Sequence, residues 1–429
     1  MNPKIVEETY PIDFRKDDAK ALGDNIKNRR SVVLIGMKRV GISNFLRFFL
    51  YDKQVSKTYL DDKKYFFIPV DLNDLVEREI YPFWVLTFKR LSDSVEHGEF
   101  TKEVKKQVEL YFLDSIQSQD LFLTIDNLRK SLSFLCSKGY FPTIFFLRFD
   151  RMKDVLTHDL FANIQGLLDA TQRQISYVFT SARALDHIEP SIISRQSMLV
   201  FSDNMYLKPA KKPDSETIFR SSIKEFKIKI NPEVSRELLK LVDGHAQYLL
   251  FALFSIKETG STLKTFELFD FLKNDERIIL QSEELWESLT GVEQDILLKV
   301  LNKSKLSSEE IKQAEYLIKT GFFDSKTNEI FSPIFKYFIK IKQDEKEKEG
   351  TSDFSKKENM LLTFLEKNKD SICEREEIIE AVWPEAESLG VTDWAIDRLV
   401  ARVRNKLKNH HKTYEIVTVK TRGYKLVER

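Results

Sequence analysis

Two groups of residues in this chain have the types and spacing to do chemistry. In the first, Gly36, Gly41 and Ser43 keep the spacing of a phosphate-binding loop, G-x-x-x-x-G-K-[ST], between the apolar run SVVLIG and the helical run NFLRFFL. The backbone amides of such a loop cradle phosphate at a helix N-terminus, and its hydroxyl side chain can meet a metal ion. Vestigial nucleotide contacts therefore fall on Gly36, Gly41, Ser43 and Asn44. Ile42 stands in the lysine position, however, so no ammonium group reaches the β and γ phosphates, and Lys38 lies on the loop arc rather than at the helix start. The run TIFFLRF at 143–149 gives a parallel result. Leu147 or Arg148, depending on register, stands where a magnesium-holding aspartate belongs, and Asp150 is the nearest carboxylate. Two separate losses of charge lead us to expect no hydrolysis, no enzyme activity and no cofactor.

The second group lies near the C-terminus. In VTDWAIDRLVARVRNKLKN, Thr392 or Asp393 can cap a helix whose Ala395, Ile396, Leu399, Val400, Val403 and Leu407 form an inward stripe, leaving Arg398, Arg402, Arg404 and Lys406 to face outward. The closing segment YEIVTVKTRGYKLVER has two β-branched and aromatic runs around Lys420 to Gly423, a hairpin with a basic tip. Residues 353–390 hold 5 basic and 10 acidic side chains, whereas 391–429 hold 10 basic and 4 acidic. A basic helix face beside a basic hairpin suits displacement of condensed counterions and reading of base edges in a major groove. A solvated helix face is the plainer explanation of a charge run, and the asymmetry weighs against it.

The segment from about 360 to 429, with EREEIIEAVW, VTDWAIDRLVARVRNKL and IVTVKTRGYKL, resembles the OmpR/PhoB-type winged helix. The resemblance implies DNA contacts at Arg398, Arg402, Arg404, Thr418, Lys420, Arg422 and Tyr424, to which the outward reading of the helix adds Lys406. Thr421 stands where that family usually has the first glycine of its wing, and Trp394, Leu399 and Ala401 occupy places that are often polar or basic. Sequence preference therefore does not transfer. No phosphate-accepting receiver is evident at the N-terminus.

These groups need elements to hold them. SVVLIG at 31–36, YFFIPVDL at 65–72, TIFFLRF at 143–149 and ISYVFTS at 175–181 read as buried parallel strands, with SMLVF at 197–201 as a fifth candidate and MYLKP after it. Helical periodicity takes over from about 213. Helices then precede two short apolar runs flanking DSKTNE, the pattern of a first winged helix, and IKQDEKEKEGTSD reads as a solvated linker. The expected organisation is multidomain: an α/β core over 1–210, a helical lid over 211–278, a first winged helix over 279–342, a charged linker over 343–353 and a second winged helix over 354–429. The order of motifs across roughly 15–340 resembles the AAA+/STAND-type signalling ATPases and their origin-recognition-like relatives, with a degenerate P-loop. That resemblance matches Thr180 and Ser181 to a sensor strand and His245 and Gln247 to a lid helix; a capping or core role for His245 weighs equally.

Composition limits the remaining readings. Apolar residues are 42% and aromatic residues 12% of 429, enough for several cores, and a net charge of +1 rules out a chain-wide positive field. Cys136 and Cys373 have neither disulfide nor zinc spacing and read as buried thiols, and His410 and His411 lack a third metal ligand. No apolar stretch is long enough to span a bilayer, and the first residues lack a signal-peptide core, so a cytoplasmic protein is expected. The leading expectation is a transcriptional regulator that binds double-stranded DNA, its ATPase-like part a scaffold for homo-oligomerisation or sensing. The alternative is a nucleotide-dependent STAND-type switch whose winged helix is an interaction module.

Overall fold

Runs of consecutive apolar residues can be buried on both faces only in the middle of a layered sheet, and this is where the chain places them. The computed structural model describes residues 5–61, 63–185, 203–259, 264–348, 354, 356–383, 393–409, 414–419 and 422–428. They form two compact units, Met1–Ile339 and Lys340–Arg429.

The first unit holds five strands, β1 (Val32–Gly36), β2 (Lys64–Asp71), β3 (Tyr140–Leu147), β4 (Ser176–Ser181) and β5 (Asp203–Leu207), in the order β2-β3-β4-β1-β5. All pairings are parallel. Every residue of β1 and β4 is buried, the apolar run of β1 and, in β4, Tyr177, Val178 and Phe179 together with Ser176, Thr180 and Ser181. The fifth strand runs over Asp203–Leu207, overlapping only the start of MYLKP, while the expected strand at 197–201 lies outside the described residues. β3 stops at Leu147 because Arg148 turns into the left-handed region, φ 59°. Helices α1 (Lys16–Lys27), α2 (Ile42–Tyr51), α3 (Lys53–Tyr59), α4 (Ile80–His97), α5 (Lys102–Ser118), α6 (Leu121–Ser137) and α7 (His158–Ala170) accompany the sheet. Phe45, Phe48, Phe49, Phe83, Trp84, Phe145, Phe146 and Phe149 are all at most 1% exposed, so the aromatic surplus is core packing rather than a stacking platform for bases.

The lid comprises α8 (Lys212–Glu225), α9 (Pro232–Val242), α10 (Ala246–Thr259), α11 (Leu268–Lys273) and α12 (Glu276–Glu287). Between α9 and α10, Gly244 has φ +75°, and a Cβ there would lie 2.1 Å from the Ala210 carbonyl oxygen, so only glycine fits this turn. Helices α13 (Gly291–Leu301), α14 (Ser308–Gln313) and α15 (Glu315–Thr320) lead into the hairpin of β6 (Phe323–Asp324) and β7 (Glu329–Ile330), the helix-and-wing arrangement expected there. Helix α16 (Pro333–Lys348) follows, with Ile334, Phe335, Phe338 and Ile339 in the same hydrophobic core.

The second unit contains α17 (Lys356–Lys367), β8 (Cys373–Glu374), α18 (Arg375–Val382), α19 (Asp393–Asn409), β9 (Tyr414–Val419) and β10 (Gly423–Glu428). Its antiparallel sheet runs β8-β10-β9 around a core that includes Leu361, Leu365, Ile378, Ile396, Leu399, Val403 and Leu426. Among these elements the two-residue β8 has no counterpart in the sequence reading. Its pairing with β10 brings the Cys373 carbonyl oxygen to 2.0 Å from where a Cβ on Gly423 would sit. Replacing Gly423→Ala should therefore push β8 and β10 apart and cost the second unit about 2 kcal/mol or more. Urea unfolding of the full chain, followed by circular dichroism, would show its weaker transition moving to lower denaturant.

Candidate nucleic-acid interface and phosphate-loop remnant

In the second unit the apolar stripe of α19 faces inward as its periodicity demands, with Ile396, Leu399, Val400 and Val403 fully buried. The four basic residues are not freely outward, which corrects the simplest reading of the helix: each is half-buried. Arg402 Nε lies 3.5 Å and Lys406 Nζ 2.7 Å from the two carboxylate oxygens of Glu358 on α17, and Glu358 is 4% exposed. A buried carboxylate needs such partners, because its charge has lost its water. Arg404 lies on another flank, donating to the Ile416 carbonyl at 2.7 Å and the Thr418 hydroxyl at 2.7 Å on β9, which fixes the wing against the helix. Arg398 projects across the helix axis from the apolar stripe, by the 3.6-residue period. On the same helix Asp397 and Ala401 are exposed.

Tyr424 is 3% exposed, and its hydroxyl donates to Asp397 while accepting from Arg375 Nη2 at 3.3 Å. Burial, with the Asp397 carboxylate beside it, pushes this phenol up to about 12. Tyr424 thus braces β10 against α19 and offers no exposed ring to a ligand. Thr418 and Arg422 are exposed on the hairpin, while Lys420 and Thr421 lie outside the described residues, as do His410 and His411. The bracing set of Glu358, Arg375 and Asp397 was missed by sequence reasoning. Its only local signal is an acidic residue on an otherwise core-facing helix.

In the first unit, β1 delivers Gly36 to a loop that turns into α2 at Gly41, φ +114°. The interior of the loop is apolar. Met37 and Val40 are at most 1% exposed, and Val40 Cγ1 and Ile42 Cδ1 lie 3.0 and 3.2 Å from the ideal Cβ position of Gly36. The isoleucine therefore removes a charge and also folds back across the arc. Asn44 donates to Glu7 Oε1 at 3.1 Å, an oxygen that also accepts from Arg47, so this side chain is engaged by the N-terminal segment. Ser43 remains exposed at the edge of a cleft of about 760 Å³, whose rim carries Asp71, Asp74, Asp93, Arg47, Arg90 and Arg148. Arg148 pairs with Asp71 and Arg90 with Asp74, so opposite charges neutralise one another there.

Leu147 ends β3, and Arg148 donates its backbone N–H to Thr180 Oγ1 at 2.7 Å. Asp150 follows in a short 3-10 turn, its carboxyl raised chiefly by burial. Ser181 Oγ accepts from the Arg183 N–H at 3.3 Å. Among the described residues no group of three or more His, Cys, Asp or Glu side chains is arranged to hold a metal ion. Cys136 and Cys373 are both free and buried.

The lid closes directly over this loop. His245 is fully buried; its Nε2 donates to the Lys38 carbonyl at 3.0 Å, and its Nδ1 accepts the Tyr248 N–H at 3.2 Å. It is at once a helix cap and a strut, while Gln247 is half-buried beside it. Arg39 Nε reaches Glu284 at 2.9 Å, Lys38 Nζ lies 3.8 Å from the same carboxylate, and a Cβ on Gly41 would be 3.2 Å from Ala246 Cβ. Further along, Arg183 holds Glu293 through two hydrogen bonds of 2.6 and 2.7 Å and stacks 3.7 Å above Tyr316. Helix α15 therefore packs on the core, with Leu317 and Thr320 fully buried and the Tyr316 hydroxyl donating to the Ala182 carbonyl at 3.0 Å.

Residues 349–426 match the model of a family described as "Transcriptional regulatory protein, C terminal". No curated protein matches the chain. Among solved structures, the Walker-type ATPase of Pyrococcus abyssi is similar at 15% identity, covering 76% of this chain and 95% of that one, TM-score 0.46. The Aeropyrum pernix ORC1 protein in complex with DNA is similar at 12% identity over 100% of this chain and 91% of its own, TM-score 0.43. Domain III of the Thermotoga maritima replication initiation protein DnaA is similar at 15% identity over 64% and 98%, TM-score 0.37. No helix among the described residues is long and apolar enough to cross a membrane.

Burial lowers the His245 pKa from 6.5 to about 4. The unfolded chain therefore binds more protons between those values, and stability contributed by the neutral ring is present above pH 6.5 and lost as pH falls towards 4. Thermal melts of the full chain should show a loss of ~2 kcal/mol from this group between pH 8 and pH 5. In His245→Asn the dependence over that window should shrink; an unchanged dependence would remove His245 as its source.

Proposed function

We propose that this chain is a DNA-binding transcription regulator in which α19 enters the major groove and the β9–β10 hairpin follows the neighbouring backbone. The observation that carries this reading is the second unit itself: a basic-flanked helix and hairpin within the span matched by a transcriptional-regulator family. Within it, Arg398, Thr418, Lys420 and Arg422 are the residues that touch DNA. Arg402, Arg404 and Lys406 add positive potential at the flanks, and Tyr424 keeps helix and wing in register. A helix that must present a fixed face to a groove gains from having its flanking cations held on Glu358.

The ATPase-like unit acts in this reading as a scaffold or sensor without hydrolysis. In support, Ile42 stands at the position of a phosphate-binding lysine, and Leu147 or Arg148 at that of a metal-holding aspartate. The first winged helix serves as a clamp, since its α15 is spent on packing against the core. A nucleotide-operated switch would instead show a thermal shift, because a ligand at ~100 times its dissociation constant stabilises by about 2.7 kcal/mol. We expect no shift of the first unit's transition with millimolar ATP or ADP and magnesium; a clear shift would turn the reading towards the switch.

The decisive measurement is selection from a random-sequence DNA library with the full chain at two salt concentrations. One sequence motif should be enriched, with binding weakening steeply in salt. Arg398→Ala should lose about 1–3 kcal/mol and relax one position of the motif. Arg422→Ala should weaken binding evenly and lower the salt slope by about one. Absence of a motif, or indifference to both changes, would sink the regulator reading.

A further inference from the structure

Three of the cations on α19, Arg398, Arg402 and Lys406, stand four residues apart and so form one row along the helix. Like charges spaced in this way repel one another. Glu358, in the first turn of α17, meets the row from the side. Lys406 Nζ lies 2.7 Å from one of its carboxylate oxygens and Arg402 Nε 3.5 Å from the other, and Lys406 also stands 5.8 Å from the centre of the Phe354 ring. The Glu358 side chain that receives both cations is 4% exposed.

Stability alone does not account for a carboxylate at this place. A buried ion pair must be desolvated, and an apolar side chain of similar volume commonly does as well or better. An acidic residue in the first turn of α17 would suit the helix macrodipole equally well from solvent. What burial here achieves is electrostatic. Arg402 and Lys406 lie on a flank of a helix whose side away from the core carries Arg398 and Ala401, and the flanks of a helix in a major groove face the phosphates of its walls. Phosphate contact carries no sequence information and supplies essentially all of non-specific affinity. One carboxylate against two cations leaves a single positive charge on that flank, where without Glu358 there would be two.

We propose that Glu358 sets the specificity of the DNA interface: it holds Arg402 and Lys406 back from the phosphate backbone, so that DNA lacking the right bases is bound weakly. Glu358 touches no DNA itself and acts through the two cations, which makes it a positioning residue. The proposal rests on the regulator reading, since it needs α19 in a major groove. It adds a consequence which that reading does not contain: loss of this one acidic side chain lowers discrimination between sequences while it strengthens binding to DNA at large.

The test compares the full natural chain with Glu358→Gln by fluorescence anisotropy on two labelled duplexes of equal length, one carrying the motif selected by the natural chain and one scrambled, over a range of salt. Glu358→Gln should tighten binding to the scrambled duplex ~5-fold at low salt and steepen its dependence of log K on log salt by about one, the value for one more phosphate neutralised. Affinity for the motif should stay nearly unchanged, so the ratio of the two falls. With Arg402→Gln and Lys406→Gln already in place, adding Glu358→Gln should alter neither slope nor ratio, because the effect passes through those side chains. Glu366→Gln, which removes an exposed carboxylate of the same helix, should also leave both as they are. Should Glu358→Gln fail to fold by circular dichroism, Glu358→Met, an uncharged side chain of similar length, takes its place with the same expectation. A slope that does not steepen, or a loss of affinity equal on both duplexes, as a merely structural role gives, overturns the proposal and leaves the regulator reading standing. A natural chain that selects no motif overturns both.

Discussion

The hydrogen bond from the buried His245 ring to the Lys38 carbonyl ties the lid to the loop that follows β1. Because the ring is fully enclosed, it is held neutral, and its second nitrogen is used to cap α10. Neither partner is replaceable by water in a site that excludes it. Around this bond Glu284 collects the Arg39 guanidinium and approaches the Lys38 ammonium, drawing the loop's own cations towards the lid. With Val40 and Ile42 filling the arc beneath, the loop keeps the backbone course of a phosphate cradle and has apolar contents.

The same economy extends through the first unit. Arg183, just beyond the end of β4, is spent on Glu293 and Tyr316. That contact buries α15, the helix of the first winged helix that precedes its wing. These contacts fasten core, lid and winged helix together.

The second unit uses its charges differently. Glu358, nearly fully buried, holds Arg402 and Lys406, and Arg404 is held by β9, so the cations flanking α19 are fixed in position while still adding to the local potential. Asp397, Arg375 and Tyr424 form a second brace between the start of the helix and the wing. One winged helix is closed by packing and the other keeps a face in solvent. The difference lies in side chains: Tyr316, Leu317 and Thr320 on the first, Asp397 and Ala401 on the second.

Much of this was legible in the sequence because it is encoded locally. Five-to-eight-residue apolar runs determine central parallel strands, an Ile396–Leu407 stripe determines which side of α19 turns inward, and Ile42 alone is enough to remove the phosphate-binding charge. The pairing partners were not legible. Glu358 and Lys406, Arg183 and Glu293, or His245 and Lys38 are far apart along the chain, and nothing in their local patterns selects one partner over another. The same holds for β8, two residues that become a strand only because β10 passes beside them. Periodicity states which face of an element must leave water, whereas the identity of the group met there depends on how elements close in space. Tertiary structure alone therefore decided that Glu358 holds Arg402 and Lys406, and that the lid is fastened to the loop through His245 and Glu284.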